Sequence, residues 1–209
     1  RGTRGRPDAS APWLGIAQLW TIRAMARQLM SATEMSHPLM GMEEALQLVG
    51  LPESTVIKDR RTALRLVRRR LAAIERQKPS LDFALFHNLE RLGRMIGLGA
   101  AEKQILAFAT LSQARPEIAA PLAAFKSGTT TDLARALTGV LQLEEADAVR
   151  ALQRNGALVA TGLVRQTDEE RPWQQSPLKV MQGLDRILMD EHSDDASLVA
   201  QFARRAPQP

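Results

Sequence analysis

The densest concentration of chemically useful side chains is a basic segment, residues 58–78. It holds nine Lys and Arg residues against two acidic ones, a local charge of +7, whereas the whole chain carries +5. The basic character is therefore local, and the rest of the chain is slightly acidic. A helix with this much positive charge is typical of a surface that neutralises phosphates, with strong salt dependence.

Helical periodicity separates the arginines of this segment from its apolar residues. An apolar seam of Leu64, Val67, Leu71 and Ile74 lies on one side of the predicted helix. A flank of arginines lies on another side of the helix, at about 40° to about 140° around the helix axis from Leu64. This flank, our candidate contact surface for a partner or for nucleic acid, consists of Arg61, Arg65, Arg68, Arg69 and Arg76. In the alternative, the aliphatic stems of these arginines cover apolar surface, and their guanidinium groups pair with acids of neighbouring helices or of another subunit. The lack of interleaved aromatic residues favours this alternative.

A second candidate site is the stretch 131–180, which predicts a helix-turn-helix followed by a β-hairpin. Thr131 and Asp132 can cap a first helix that Gly139 ends, and a second helix runs from Glu144 to Arg154. A turn and strand over 158–164, a wing over 168–173 and a returning strand over 174–180 complete the pattern. This order is typical of a winged helix, which binds either nucleic acid or protein.

The charges of this motif favour a protein contact. The second helix, in the recognition position, carries Glu144, Glu145 and Asp147 against two arginines, and the predicted wing also has a net negative charge. Acids at these positions would face phosphates and weaken DNA binding. We therefore expect a protein-binding or intramolecular packing role, with these three acids and an exposed Trp173 as candidate contacts. Packing of Trp173 against the hairpin is the alternative.

Catalytic, cofactor-binding and metal-binding residues are not predicted. The chain has no cysteine, which excludes disulfides, thiolate nucleophiles and Cys-ligated metal sites. No nucleotide-binding, hydrolase or zinc-protease motif is present. The three histidines (His37, His87 and His192) are far apart, and the acids around His192 are better explained as a loop between helices than as a cation site. No apolar run predicts a membrane span or a signal peptide, so we expect a cytoplasmic protein.

The elements that must position these residues are mostly helices. Apolar periodicity and breakers predict helices over 13–30, 42–49, 56–78, 80–96, 100–111, 117–125, 183–189 and 196–204, besides those of the winged-helix pattern. The expected fold class is mainly α: an N-terminal helical bundle followed by a winged-helix-like subdomain with one small β-hairpin. We place flexible linkers at 1–11 and 205–209, a helical domain with the basic helix at 12–96, and the winged-helix-like domain at 97–204.

Four segments of the second half carry a family pattern: 97–106 (GLGAAEKQIL), 141–149 (LQLEEADAV), 155–164 (NGALVATGLV) and 176–180 (SPLKV). Together they resemble the region that precedes the ATPase module in a group of bacterial AAA-type ATPases, over about half of the chain, Gly97 to Phe202. The matching positions are hydrophobic-pattern positions without catalytic residues. The basic helix lies outside the match.

The resemblance implies a non-catalytic N-terminal region that recruits a protein substrate or adaptor and packs on the ATPase module in cis. That module would follow Pro209 and would bind ATP and Mg²⁺, and the parent protein would be a homo-oligomer; this fragment itself would need no cofactor. The alternative function is a DNA-binding or regulatory winged-helix protein that uses the arginine flank. We expect no contact with membranes under either interpretation.

Overall fold

The computed structural model describes residues 11–31, 39, 41–55, 59–122, 129–166 and 177–205. Its helices are α1 (Leu14–Ser31), α2 (Glu43–Leu48), α3 (Arg60–Gln77), α4 (Ala84–Ile96), α5 (Ala100–Ala114), α6 (Thr130–Leu141), α7 (Glu145–Leu152), α8 (Ala157–Ala160), α9 (Leu184–Met189) and α10 (Asp195–Arg205). The strands are β1 (Val164–Gln166) and β2 (Leu178–Val180). The mainly helical fold class is confirmed. None of the helices in the described part of the chain has the length and hydrophobicity needed to cross a bilayer.

Helices α1 and α5 form the centre of the core. Every residue of α5 from Ile105 to Ser112 is buried, as expected of a helix that is covered on all sides. Helix α1 packs against α3 and α6, and Trp20 meets Phe108 of α5 edge to face with ring centroids 5.6 Å apart. Apolar side chains of both central helices therefore organise the elements around them.

The apolar seam predicted for the basic helix is confirmed. Val67 and Ile74 of α3 are fully buried, while Leu64 and Leu71 pack half-buried against the core. Arg23 of α1 binds the C-terminal end of α3. Its guanidinium lies 3.0 Å from Glu75 Oε1 and also donates to the carbonyl of Val140 in α6. These contacts fix the orientation of α3 on α1.

The region after α5 differs from the prediction at three points. The predicted helix 117–125 is wrong where the structure describes it, because two 3-10 turns, Pro116–Ile118 and Ala120–Leu122, take its place. Gly139 does not end a helix but lies inside α6, where a Cβ atom would come 2.5 Å from Nη1 of Arg27 in α1. Helix α6 ends instead at Gln142 in the left-handed conformation.

The third difference is helix α8, which begins the segment predicted as a turn into a strand. The hairpin that follows is antiparallel, with Val164 opposite Val180 and Gln166 opposite Leu178. Gln113 of α5 accepts a hydrogen bond from the backbone N–H of Val180, at 3.1 Å, and so anchors the returning strand. The predicted wing, 168–173, lies outside the described residues.

The two halves of the sequence share one hydrophobic core, which runs from Ile16 to Leu188. Polar contacts also join them. Asn88 of α4, buried, donates to the carbonyls of Leu188 and Asp190 at 3.1 and 2.8 Å. The division into two domains between residues 96 and 97 stays a prediction.

Candidate functional site

Helix α3 begins at a side-chain cap and ends at a proline. The Asp59 carboxylate accepts a hydrogen bond from the backbone N–H of Thr62 at 3.0 Å, which satisfies a free donor of the first turn. Hydrogen bonds from Thr62 hold the pKa of Asp59 below its ordinary value. At the other end Lys78 adopts the left-handed conformation and Pro79 follows, so the helix cannot continue.

Two arginines of α3 attach the helix to its neighbours. Arg60 donates to the carbonyls of Leu29 and Met30 at the end of α1, at 2.7 and 3.0 Å. Arg70 donates through Nε to the carbonyl of Val49, the residue that follows α2. Such bonds satisfy helix carbonyls that have no partner within their own helix. Neither residue belongs to the predicted flank, and both lie beside the apolar seam on the helix surface.

The five predicted arginines lie together on the opposite side. We call Arg61, Arg65, Arg68, Arg69 and Arg76 the arginine face; all five are exposed. Their placement follows from the angular separation that the sequence predicts, because the seam is indeed the buried side.

The side chains of the arginine face make few contacts. Arg76 donates to the carbonyl of Ala72 within its own helix, at 3.0 Å, and Arg68 approaches the sulfur of Met30 at 3.8 Å. Arg61, Arg65 and Arg69 make no side-chain hydrogen bond or ion pair with the residues that the structure describes. Pairing with acids of neighbouring helices is therefore not seen for these three within the described part of the chain.

The electrostatics of α3 are one-sided. Its single acid, Glu75, lies at the edge of the arginine face and is engaged by Arg23. The exposed residue within the face that is not an arginine is Ala72. At 1.5 Å per residue, Arg61 and Arg76 are separated by about 22 Å along the helix axis. The face is thus a straight positive strip that can meet several negative charges in a row.

The acids predicted as protein contacts lie around α7. Glu144 is the exposed residue before the helix, Glu145 pairs with Arg135 of α6 at 3.2 Å, and Asp147 pairs with Arg150 at 3.0 Å. Glu145 therefore has an intramolecular partner already. Trp173 lies outside the described residues.

The polar interface behind Glu145 involves α1 as well. Burial and the nearby Arg135 lower the pKa of Arg27, while Glu145 opposes the shift. Helix α8, which carries no charged residue, lies between α7 and the hairpin, and the recognition role of the acidic helix stays a prediction.

His87, His192 and the acidic loop before α10 form structural contacts, and His37 lies outside the described residues. His87 lies 2.9 Å from Asp82, and His192 Nε2 lies 2.7 Å from the carbonyl of Ile187. Arg91 of α4 donates to the carbonyl of His192 at 2.6 Å and also approaches Asp195. Asp82, His87, Arg91 and His192 border an open cleft of about 520 Å³. Among the described residues, metal-ligating side chains do not gather in groups of three or more.

Sequence reasoning missed how α4 holds the C-terminal part of the chain. Asn88 and Arg91 bind backbone carbonyls roughly one hundred residues away in the sequence. The local sequence shows only that Asn88 is a polar residue in an otherwise apolar stripe of its helix. This pattern indicates a buried hydrogen bond but does not identify the acceptor.

Comparisons with protein-family models, with curated proteins and with solved structures find no match.

Proposed function

We propose that this chain is a partner-recruiting region and that it binds an anionic partner through the arginine face of α3. One observation carries the proposal: five exposed arginines share one side of a helix whose opposite side is buried in the core. A rigid helix presents these charges at fixed spacings, so little conformational freedom of the backbone is lost on binding.

The choice of arginine supports this role. A guanidinium offers five donors in a planar fork and binds carboxylate or phosphate through two parallel hydrogen bonds. Arg60 and Arg70 anchor the same helix to α1 and α2, and this anchoring keeps the face in place. A surface built in this way selects for negative charge in its partner.

We further propose that the region belongs to a bacterial AAA-type ATPase and that its second half is winged-helix-like. The support is the resemblance over Gly97 to Phe202, together with the order of α6, α7, α8 and the antiparallel hairpin. In this proposal a separate module of the parent binds ATP and Mg²⁺. A nucleotide-binding Walker motif in the coding sequence after Pro209 is the expected finding, and a sequence without one would contradict the AAA-type parent.

The binding proposal is tested with heparin, a generic sulfated polyanion, and the full 209-residue chain. Arg61, Arg65 and Arg69 are replaced together by alanine. The matched control replaces Arg154, Arg165 and Arg186, which are exposed elsewhere and give the same change of net charge. We expect the first variant to elute from a heparin column at a clearly lower salt concentration than the control. Equal elution of the two variants would contradict the proposed site.

A further inference from the structure

We infer that the partner of the arginine face is the phosphate backbone of a nucleic-acid duplex, bound without strong sequence preference. The inference rests on the proposed anionic partner and names its chemical class. Three features of the face carry it: the extent of its charge, the lack of an apolar centre, and the lack of aromatic residues.

The extent of the charge fits a polymer. The strip is about 22 Å long at 1.5 Å per residue. Duplex DNA presents about one negative charge per 1.7 Å of its axis, so a strip of this length meets many phosphates in any register. A single carboxylate or a short acidic loop would occupy one or two of the five guanidinium groups and leave the rest without partners.

The arginine face has no large apolar or aromatic side chain at its centre, unlike the interfaces through which proteins bind proteins. Binding energy between proteins concentrates in buried aromatic and apolar anchors, and charge is depleted at the interface core. The centre of the arginine face is Ala72, and the large apolar side chain next to it, Met30, stands at its edge beside Arg68. Protein surfaces that bind DNA are instead strongly positive and polar.

The absence of aromatic residues from α3 points to a duplex. Proteins that hold single strands without sequence preference stack the bases on aromatic side chains between basic residues. Helix α3 contains no Phe, Trp or Tyr, and all of its residues are described. Its long arginines can reach phosphates along a ridge, and contacts to phosphates carry no direct sequence information.

The number of arginines sets the expected salt dependence. If each neutralises one phosphate, the slope of log K against log salt concentration is about −0.9 × 5, or about −4.5. Affinity then falls about 500-fold between 50 and 200 mM salt. With Arg61, Arg65 and Arg69 replaced by alanine, two arginines remain, the slope becomes about −1.8, and the fall is about 12-fold.

The experiment measures fluorescence anisotropy of two labelled 20-bp DNA duplexes of unrelated sequence with the full chain, at several salt concentrations. We expect the two duplexes to bind within about threefold of each other, with the slopes given above. The control variant, with Arg154, Arg165 and Arg186 replaced by alanine, keeps the wild-type slope. Circular dichroism and thermal unfolding establish that each variant folds.

A poly-glutamate arm separates failure of the inference from failure of the proposed function. Binding of poly-glutamate that depends on Arg61, Arg65 and Arg69, without binding of duplex DNA, would overturn the inference and leave the recruiting function standing. Duplex binding that the control variant abolishes, while the α3 variant retains it, would overturn both. Binding of neither polymer at low salt would also overturn both, and tighter binding of single strands than of duplexes would overturn the inference.

Discussion

Neighbouring arginines of α3 should differ strongly in their effect on stability when replaced by alanine. Arg70 donates to the carbonyl of Val49, the residue after α2, whereas Arg69 belongs to the exposed arginine face. Val49 itself is fully buried. Replacing Arg70 therefore leaves a carbonyl inside the protein without its partner, and replacing Arg69 removes only a solvent-facing side chain.

The size of the difference follows from the type of hydrogen bond. A hydrogen bond with one charged partner contributes roughly 1.5–3 kcal/mol to the free energy of unfolding. A buried carbonyl that loses its donor destabilises the protein further, because it has been removed from water without a replacement partner. We take about 2 kcal/mol for Arg70→Ala and less than about 0.5 kcal/mol for Arg69→Ala. With a urea m-value of about 2 kcal/mol per molar, the unfolding midpoint falls by about 1 M in the first variant and hardly changes in the second.

Urea unfolding followed by circular dichroism and tryptophan fluorescence measures both midpoints. A third variant, Arg70→Met, keeps most of the apolar stem and removes the donor, which separates the hydrogen bond from packing of the stem. We expect its midpoint to fall nearly as far as that of Arg70→Ala. Equal midpoints for the Arg69→Ala and Arg70→Ala variants would refute the reasoning, and a wild-type midpoint for Arg70→Met would assign the effect to packing.

Three further predictions concern elements around the site. Asn88→Ala should cost about 1–3 kcal/mol of unfolding free energy in urea, because two backbone carbonyls lose their donor; an unchanged midpoint would contradict this role. Gly156→Ala should also destabilise by about 1–3 kcal/mol, since a Cβ there would lie 2.6 Å from the carbonyl oxygen of Arg150, and a variant with wild-type thermal stability would show that the backbone can shift. The lowered pKa of Asp59 means that its stabilising effect is present above the ordinary carboxyl pKa and is lost as pH falls through the lowered value. The difference in urea midpoint between wild type and Asp59→Ala should thus shrink as the pH is lowered from about 6 to about 3. A difference that stays constant would argue against the role of the Asp59 carboxylate as a helix cap.

The sequence predicted most helices because their information is local. Apolar residues recur at helical spacing in α1, α3 and α5, and each of these helices is present within a few residues of its predicted bounds. The same spacing predicted that the side of α3 bearing Val67 and Ile74 would be buried and that the five arginines would be exposed. Periodicity alone fixes which side chains share a side of a helix.

Predictions failed where a distant contact overrides a local signal. Gly139 has the residue type of a helix end, yet α6 continues through it, and the absence of a side chain there leaves room for Arg27 of α1. The segment after Pro116 looked like a helix start but forms 3-10 turns that pack against α1 and α2. Helix α8 spans a single turn, too short for a periodic pattern to appear.

The sequence by itself determined that this protein is mainly helical, that its net positive charge comes from one segment, and that five arginines lie on one side of that segment's helix. The tertiary structure decided which arginines are free. Arg69 and Arg70 are the same residue type at adjacent positions, but only Arg70 turns toward the carbonyl of Val49. The reason is physical: a helix rotates by about 100° per residue, and the neighbour that each side chain then meets is set by packing between residues far apart in the chain.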